Sequence, residues 1–115
     1  MFKMPRLFIV VLLSGLTACA PKVPQPLPDE VMVKVLADLH IAEAALQRLA
    51  KPYKDTVSQR YYNEVAAIHG LSRSEIDSAL TWLRDRPAEM NRIYEAVFLL
   101  LEAWETEATG NYNPM

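Results

Sequence analysis

Proline placement limits this chain more than any other feature. Of its 8 prolines, four fall between Pro21 and Pro28, and two stand alone at Pro52 and Pro87. A proline lacks the amide hydrogen and clashes with the preceding turn, so helix interiors exclude it while first turns accept it. Any helix after Pro28 must therefore begin, break or end at Pro52 and Pro87. Between those points glycine is scarce (3 in the chain), and Ala, Leu and Glu are frequent, which favours helices over a turn-rich sheet.

Four helical segments follow from the apolar spacing. At 100° steps, Val31, Met32, Val35, Leu36, Leu39, Ala42, Leu46 and Leu49 share one arc, which predicts a helix from Asp29 to about Ala50, ended by Pro52. Asp29 and Glu30 suit its first turn, where the helix dipole favours acidic groups. A second helix is expected from about Asp55 to His69, with Val57, Tyr61, Val65 and Ile68 as its stripe, and Gly70 as the left-handed residue beyond its end. Ser72 and Glu75 have capping-box spacing, and Leu71 with Ile76 can form the hydrophobic staple around it. The helix so started carries Ile76, Ala79, Leu80 and Leu83. Pro87 opens a fourth, in which Met90, Ile93, Tyr94, Val97, Phe98, Leu100, Leu101 and Trp104 cover a wide arc. So apolar a helix should touch more than one neighbour, which places it centrally. The expectation is an all-α domain, a small four-helix bundle in which short connections make successive helices neighbours and roughly antiparallel.

The first residues carry a different pattern. Lys3 and Arg6 precede an apolar run from Leu7 to Leu13, and Ser14-Gly15 leads to Leu16-Thr17-Ala18-Cys19. Basic, apolar and small-residue regions in that order form an export signal, and the run is short of the roughly 20 apolar residues that span a bilayer. Leu16 to Cys19 also resembles the lipobox of bacterial lipoproteins, in which the cysteine thiol takes a diacylglyceryl group before cleavage on its amino side. Cys19 is the sole cysteine, so it has no partner for an intramolecular disulfide. Two or three fatty-acyl chains such as palmitate anchor a protein stably, where one binds marginally. The expected organisation is a cleaved signal peptide over 1–18, a lipidated Cys19 with a Pro-rich tether over 19–28, a helical domain over 29–109, and a loose tail over 110–115. The tether, APKVPQPLP over Ala20–Pro28, prefers extended polyproline II and reads as a spacer that lifts the domain from the lipid.

Charge and residue types narrow the functional classes. Setting aside Lys3 and Arg6 shifts the net charge from −2 to about −4, which leaves no basic surface for nucleic acid or for anionic lipid. No Gly-rich phosphate loop or Gly-x-Ser-x-Gly elbow is present, and two histidines give little to nucleophilic chemistry, so no enzymatic activity is expected. Glu43 falls inside the apolar arc of the first helix with His40 at its edge. A carboxylate there needs a hydrogen-bonding partner or a cation. His40 and Glu43 could form a polar site, even a metal site with His69 or Asp38, although a structural hydrogen bond to His40 or to a tyrosine of the second helix is favoured. No cofactor is expected. Ile41 and Leu99 point away from their apolar arcs. With Trp82 and Tyr62 at arc edges, they could form a protein-binding patch.

The residues Val35-Leu36-Ala37-Asp38-Leu39-His40-Ile41-Ala42-Glu43-Ala44, Tyr61-Tyr62, His69-Gly70-Leu71-Ser72, Ile76-Asp77, Leu80, Pro87 and Ile93-Tyr94-Glu95-Ala96-Val97 resemble, in order and spacing, a family of small lipoproteins of Bacteroidetes-type bacteria, the domain of unknown function 4296. The resemblance runs from about Val31 to Ala103. It implies the fold and the location, and no molecular activity. Two functional classes follow. The first is a non-enzymatic accessory protein, anchored in the cell membrane or outer membrane, facing the periplasm and engaging an envelope protein partner. The second is a small ligand- or metal-binding domain centred on His40 and Glu43.

Overall fold

The computed structural model describes residues 23–110. The expected signal peptide over 1–18, the expected lipid attachment at Cys19, the expected tether up to Lys22, and the tail residues 111–115 lie outside the described residues. Four helices follow Pro28: α1 (Asp29–Leu46), α2 (Lys51–Ile68), α3 (Arg73–Arg84) and α4 (Pro87–Gly110). Among the described residues all regular structure is helical, as the apolar spacing predicts.

Three boundaries differ from expectation, and proline explains one of them. α1 stops at Leu46 rather than Ala50, with Arg48 and Leu49 making tight backbone bonds back to Ala45 and Leu46. Pro52 does not end α1 but sits in the first turn of α2, which starts at Lys51 rather than Asp55. Its missing N–H costs nothing there, because first-turn donors have no intrahelical acceptor. α4 continues through Gly110, which the sequence assigned to the tail.

The turn between α2 and α3 follows the sequence closely. Gly70 has φ +64°, the Leu71 N–H donates to Ala66 O at 2.8 Å, and the Gly70 N–H donates to Ala67 O at 3.1 Å. These two bonds make a Schellman motif, which satisfies the last carbonyls of α2 and turns Leu71 inwards. The capping box then closes in both directions: Glu75 N–H donates to Ser72 Oγ at 3.1 Å, and Ser72 N–H donates to Glu75 Oε2 at 2.8 Å. Leu71 packs on Ile76, completing the staple.

Buried side chains form two adjoining clusters. One joins Leu27, Met32, Leu36 and Ala37 to Ala79, Trp82, Leu83, Ile93 and Val97; the other joins Val35 and Leu39 to Val65, Ala66 and Ile76. α1 packs on α2 and α4, and α3 also packs on α2 and α4, so the four helices close a ring. The central helix is α1, not α4. α1 buries Met32, Val35, Leu36, Ala37, Leu39 and Leu46, whereas α4 buries Ile93 and Val97 and leaves Phe98 and Leu99 in solvent. Full burial of a side chain such as Leu83 or Ile93 contributes about 1.5–3 kcal/mol, so this asymmetry sets which helix organises the rest. The inner face of α2 is also rotated from the predicted stripe: Ala66 is buried, and Ile68 is exposed beside a half-buried His69.

Contacts fix the helix directions. Glu43 meets Tyr62 and Asp38 meets His69, so α2 runs against α1. Ile76 packs with Val35 and Leu39 while Leu83 packs with Met32 and Leu36, so α3 also runs against α1. Asp29 meets Arg92 and His40 meets Phe98, so α4 runs with α1. The expected alternation of directions therefore fails between α2 and α3, where the Gly70 turn lets the chain carry on in the same general sense.

The Pro-rich segment changes status. Leu27 is buried in the first cluster, and the Trp82 indole N–H donates to Val23 O at 3.2 Å. Gln25 Nε2 donates to Leu27 O at 2.7 Å and to Asp29 Oδ1 at 2.6 Å. The stretch from Val23 to Pro28 packs on the helices, so the packed domain begins before Asp29. An apolar side chain between prolines is a weak signal for burial, because its spacing matches no helix.

The Schellman turn and the capping box carry a stability prediction. Gly70→Ala should cost about 1–2 kcal/mol, from the left-handed backbone alone, since a Cβ there meets nothing within 4 Å. Ser72→Ala should cost about 1 kcal/mol through the lost cap. Urea denaturation of both variants checks this, and an unchanged midpoint in either would contradict the assignment of that turn.

Candidate functional site

His40 and Glu43 sit one turn apart on α1 and lean towards different neighbours. Glu43 is exposed and accepts a long hydrogen bond from the Tyr62 hydroxyl of α2 at 3.4 Å. His40, also exposed, sets its ring edge-on to Phe98 of α4, with centroids 6.3 Å apart. The two do not form the polar pair considered from the sequence. Of the alternatives it left open, the tyrosine of the second helix is the partner of Glu43. Burial, the Glu43 charge and its hydrogen bond push the Tyr62 phenol above the usual tyrosine range, while the Arg73 guanidinium, 4.5 Å from the ring centroid, opposes them. Burial, and after it the Glu43 charge, raises Tyr94 in the same direction. Tyr62 is thus held as a neutral donor.

The histidine that does find a carboxylate is His69, where α2 ends. Its Nε2 lies 2.6 Å from Asp38 Oδ2 of α1, and its side chain is only 15% exposed. His69 and Asp38 were secondary members of the sequence's polar site; the structure joins them to each other and not to His40 or Glu43. Among the described residues, no three His, Cys, Asp or Glu side chains stand close enough to hold a metal ion. The metal reading centred on His40 and Glu43 therefore lacks its geometry. The physical reason is that Glu43 accepts from Tyr62 of α2 while the His40 ring lies edge-on to Phe98 of α4.

Of the residues suggested for an apolar patch, Ile41 and Leu99 are exposed and Trp82 and Tyr62 are not. Ile41 is 50% exposed and Leu99 67%, and Phe98, which the sequence placed in the core, is 55% exposed beside His40. Trp82 does not belong with them: it is 8% exposed, packs in the first cluster, and is covered by Arg86 at 4.8 Å from the ring centroid. A tryptophan at an arc edge became a core residue because the Val23–Pro28 segment covers it. Tyr62 is half-buried between α1 and Arg73 and is likewise no part of an open patch.

A groove of about 810 Å³ that the sequence did not single out runs along α3, between that helix and the Val23–Pro26 segment. Ser74, Ser78 and Thr81, at helical spacing, present hydroxyls to it. Arg73 and Asp77, paired at 3.3 Å one turn apart on α3, line it with Arg86 and Asp85, leaving the charge balanced. The repeat of hydroxyls on one side of α3 was the available signal. At the opening of α1, Arg92 binds Asp29 through both terminal nitrogens and Glu89 at 2.6 Å. Arg92, with help from Gln25, holds the Asp29 carboxyl below the usual carboxylate range.

Two predictions follow from these pairs. Asp38→Ala leaves the enclosed His69 without its partner and should cost about 1–3 kcal/mol, whereas Glu43→Gln and Glu43→Ala should each cost less than about 1 kcal/mol, since Tyr62 can turn to water. Thermal melts rank the variants, and Glu43→Ala as the most damaging would reverse this view of the site. Asp29 titrates lower in the folded state than in the unfolded chain, so its contribution is complete above the unfolded value, roughly pH 4, and is lost as the pH falls through the lowered folded value. Asp29→Asn should flatten the stability profile below pH 4, and an unchanged acid limb would show that the Arg92 pair is not coupled to folding.

Comparison with known proteins agrees with this architecture in its bounds. No curated protein and no solved structure matches the chain. A family match described as Domain of unknown function (DUF4296) covers residues 24–107, beginning inside the docked proline segment and ending near the close of α4. The chain belongs to the DUF4296 family.

Proposed function

We propose that this protein is a lipid-anchored component of a bacterial cell envelope, with a helical domain that acts as a non-enzymatic interaction module facing the periplasm. Leu16-Thr17-Ala18-Cys19 supports the anchor, since it offers a thiol in lipobox context behind a basic and apolar segment. Among the described residues no helix is long and apolar enough to cross a membrane. The observation that carries the interaction reading is the exposure of Phe98 and Leu99 on α4, where His40 of α1 meets the Phe98 ring, together with the exposure of Ile41 on α1. Side chains of that size left in solvent on two neighbouring helices mark a surface that gains by being covered. An envelope protein with an apolar, uncharged contact suits it best. The docked histidine is enclosed by its Asp38 partner, which supports a structural role for it over a catalytic one.

The anchor is tested by fractionation. Cys19→Ala should accumulate as precursor or leave the membrane fraction, and a variant still cleaved and tightly membrane-bound would overturn the lipoprotein assignment. The surface is tested by a photo-reactive amino acid at Leu99 in cells. One discrete adduct, lost on Phe98→Asp and absent with the probe at Ser58 on α2, is the expected result. Equal labelling from both positions would contradict a specific face.

A further inference from the structure

The Val23–Pro28 segment is fastened to the domain at three points. Leu27 enters the core, Gln25 bridges Leu27 and Asp29, and Val23 O accepts the Trp82 indole hydrogen. The last of these lies at the edge of the α3 groove, so Val23, the first described residue, is held against α3. Four residue steps separate Val23 from Cys19. Fully extended, four steps reach at most about 14 Å, because each residue spans no more than 3.3–3.6 Å. α1 alone, at 18 residues, is about 27 Å long, about twice that reach.

We infer that the docked segment makes the α3 groove a membrane-facing surface: lipid on Cys19 holds Ser74, Asp77, Ser78 and Thr81 against the headgroups, and the Gln47–Ala50 turn points away. This rests on the lipid anchor proposed above. The surface suits a zwitterionic headgroup layer, since Arg73 and Arg86 are balanced by Asp77 and Asp85 and the hydroxyls can donate to phosphate oxygens. Without a polybasic patch the surface has little affinity of its own for lipid. The short link supplies the contact by effective concentration. The Pro-rich stretch therefore works as a clamp that sets orientation, and the extended spacer over Ala20–Pro28 suggested by composition is cut to the four residue steps between Cys19 and Val23.

The test uses full-length protein made in a lipoprotein-processing host, purified from its membrane and placed in phosphatidylcholine nanodiscs containing headgroup spin-labelled lipid. Amide signals of Val23, Gln25 and Ser74–Thr81 should be at least halved by the label, while those of Gln47–Tyr53 stay near full intensity. Inserting about a dozen Gly and Ser residues between Ala20 and Pro21 lengthens the flexible reach several-fold without touching the fold, and should even out the attenuation. Trp82→Phe, which keeps the ring and removes the donor, should weaken the contrast between the two regions. Even attenuation in the unmodified protein would overturn the orientation while leaving the anchor intact. A pattern that survives the long insert would overturn the link as its cause. Protein that carries no lipid and stays out of the discs would overturn the anchor, and this inference with it.

Discussion

α1 packs on α2 along one side and on α4 along the other, and the rest of the domain is arranged around that double contact. Met32 and Leu36 enter the cluster with Leu83, Ile93 and Val97, while Val35 and Leu39, each one residue before or three beyond, enter the cluster with Val65, Ala66 and Ile76. Ala37 has no exposure at all, as expected where a small side chain lets two backbones come close. A helix with apolar residues at successive positions such as 31–32 and 35–36 presents a broad face, and only two flanking neighbours can cover it. α3 then closes the ring through Ile76 and Leu83, which reach one cluster each.

Most of the fold was legible because its punctuation is chemical. Pro87 starts α4, Gly70 takes the left-handed conformation, and Ser72 with Glu75 forms the box, each as their side chains or lack of one dictate. What the sequence hid was the choice among apolar arcs that compete for the same core. α4 has the wider stripe, yet its bulk at Phe98 and Leu99 faces solvent. α1 has smaller residues at its crossings and is buried instead. Helical spacing reports which residues share a face; it does not report how many neighbours cover that face.

The polar site was legible only as a set of residues. Asp38, His40, Glu43 and His69 were all considered together, but their pairing depends on the rotation of α2, which turns His69 inward and Ile68 outward. The same rotation brings Tyr62 to Glu43 and leaves His40 to Phe98. Trp82 was misplaced for a different reason. Its cover comes from Val23 to Leu27, a segment with no helical periodicity, so a helical wheel of α3 leaves it at an edge. The burial of that segment also leaves fewer residues between the packed domain and Cys19, and so bears directly on how the proposed lipid anchor would present the exposed residues of α1 and α4.

Double-sided burial of α1 is the central claim, and its most direct measurement is a pair of truncations, Leu36→Ala and Leu39→Ala, followed by tryptophan fluorescence and far-ultraviolet circular dichroism in urea. Each change should lower stability by about 2–5 kcal/mol. In both variants the fluorescence and helix signals should fall together in one transition, because Trp82 in the first cluster and α2 in the second depend on the same helix. A Leu39→Ala variant that loses α2 in an early step while the tryptophan signal keeps its original midpoint would contradict the claim.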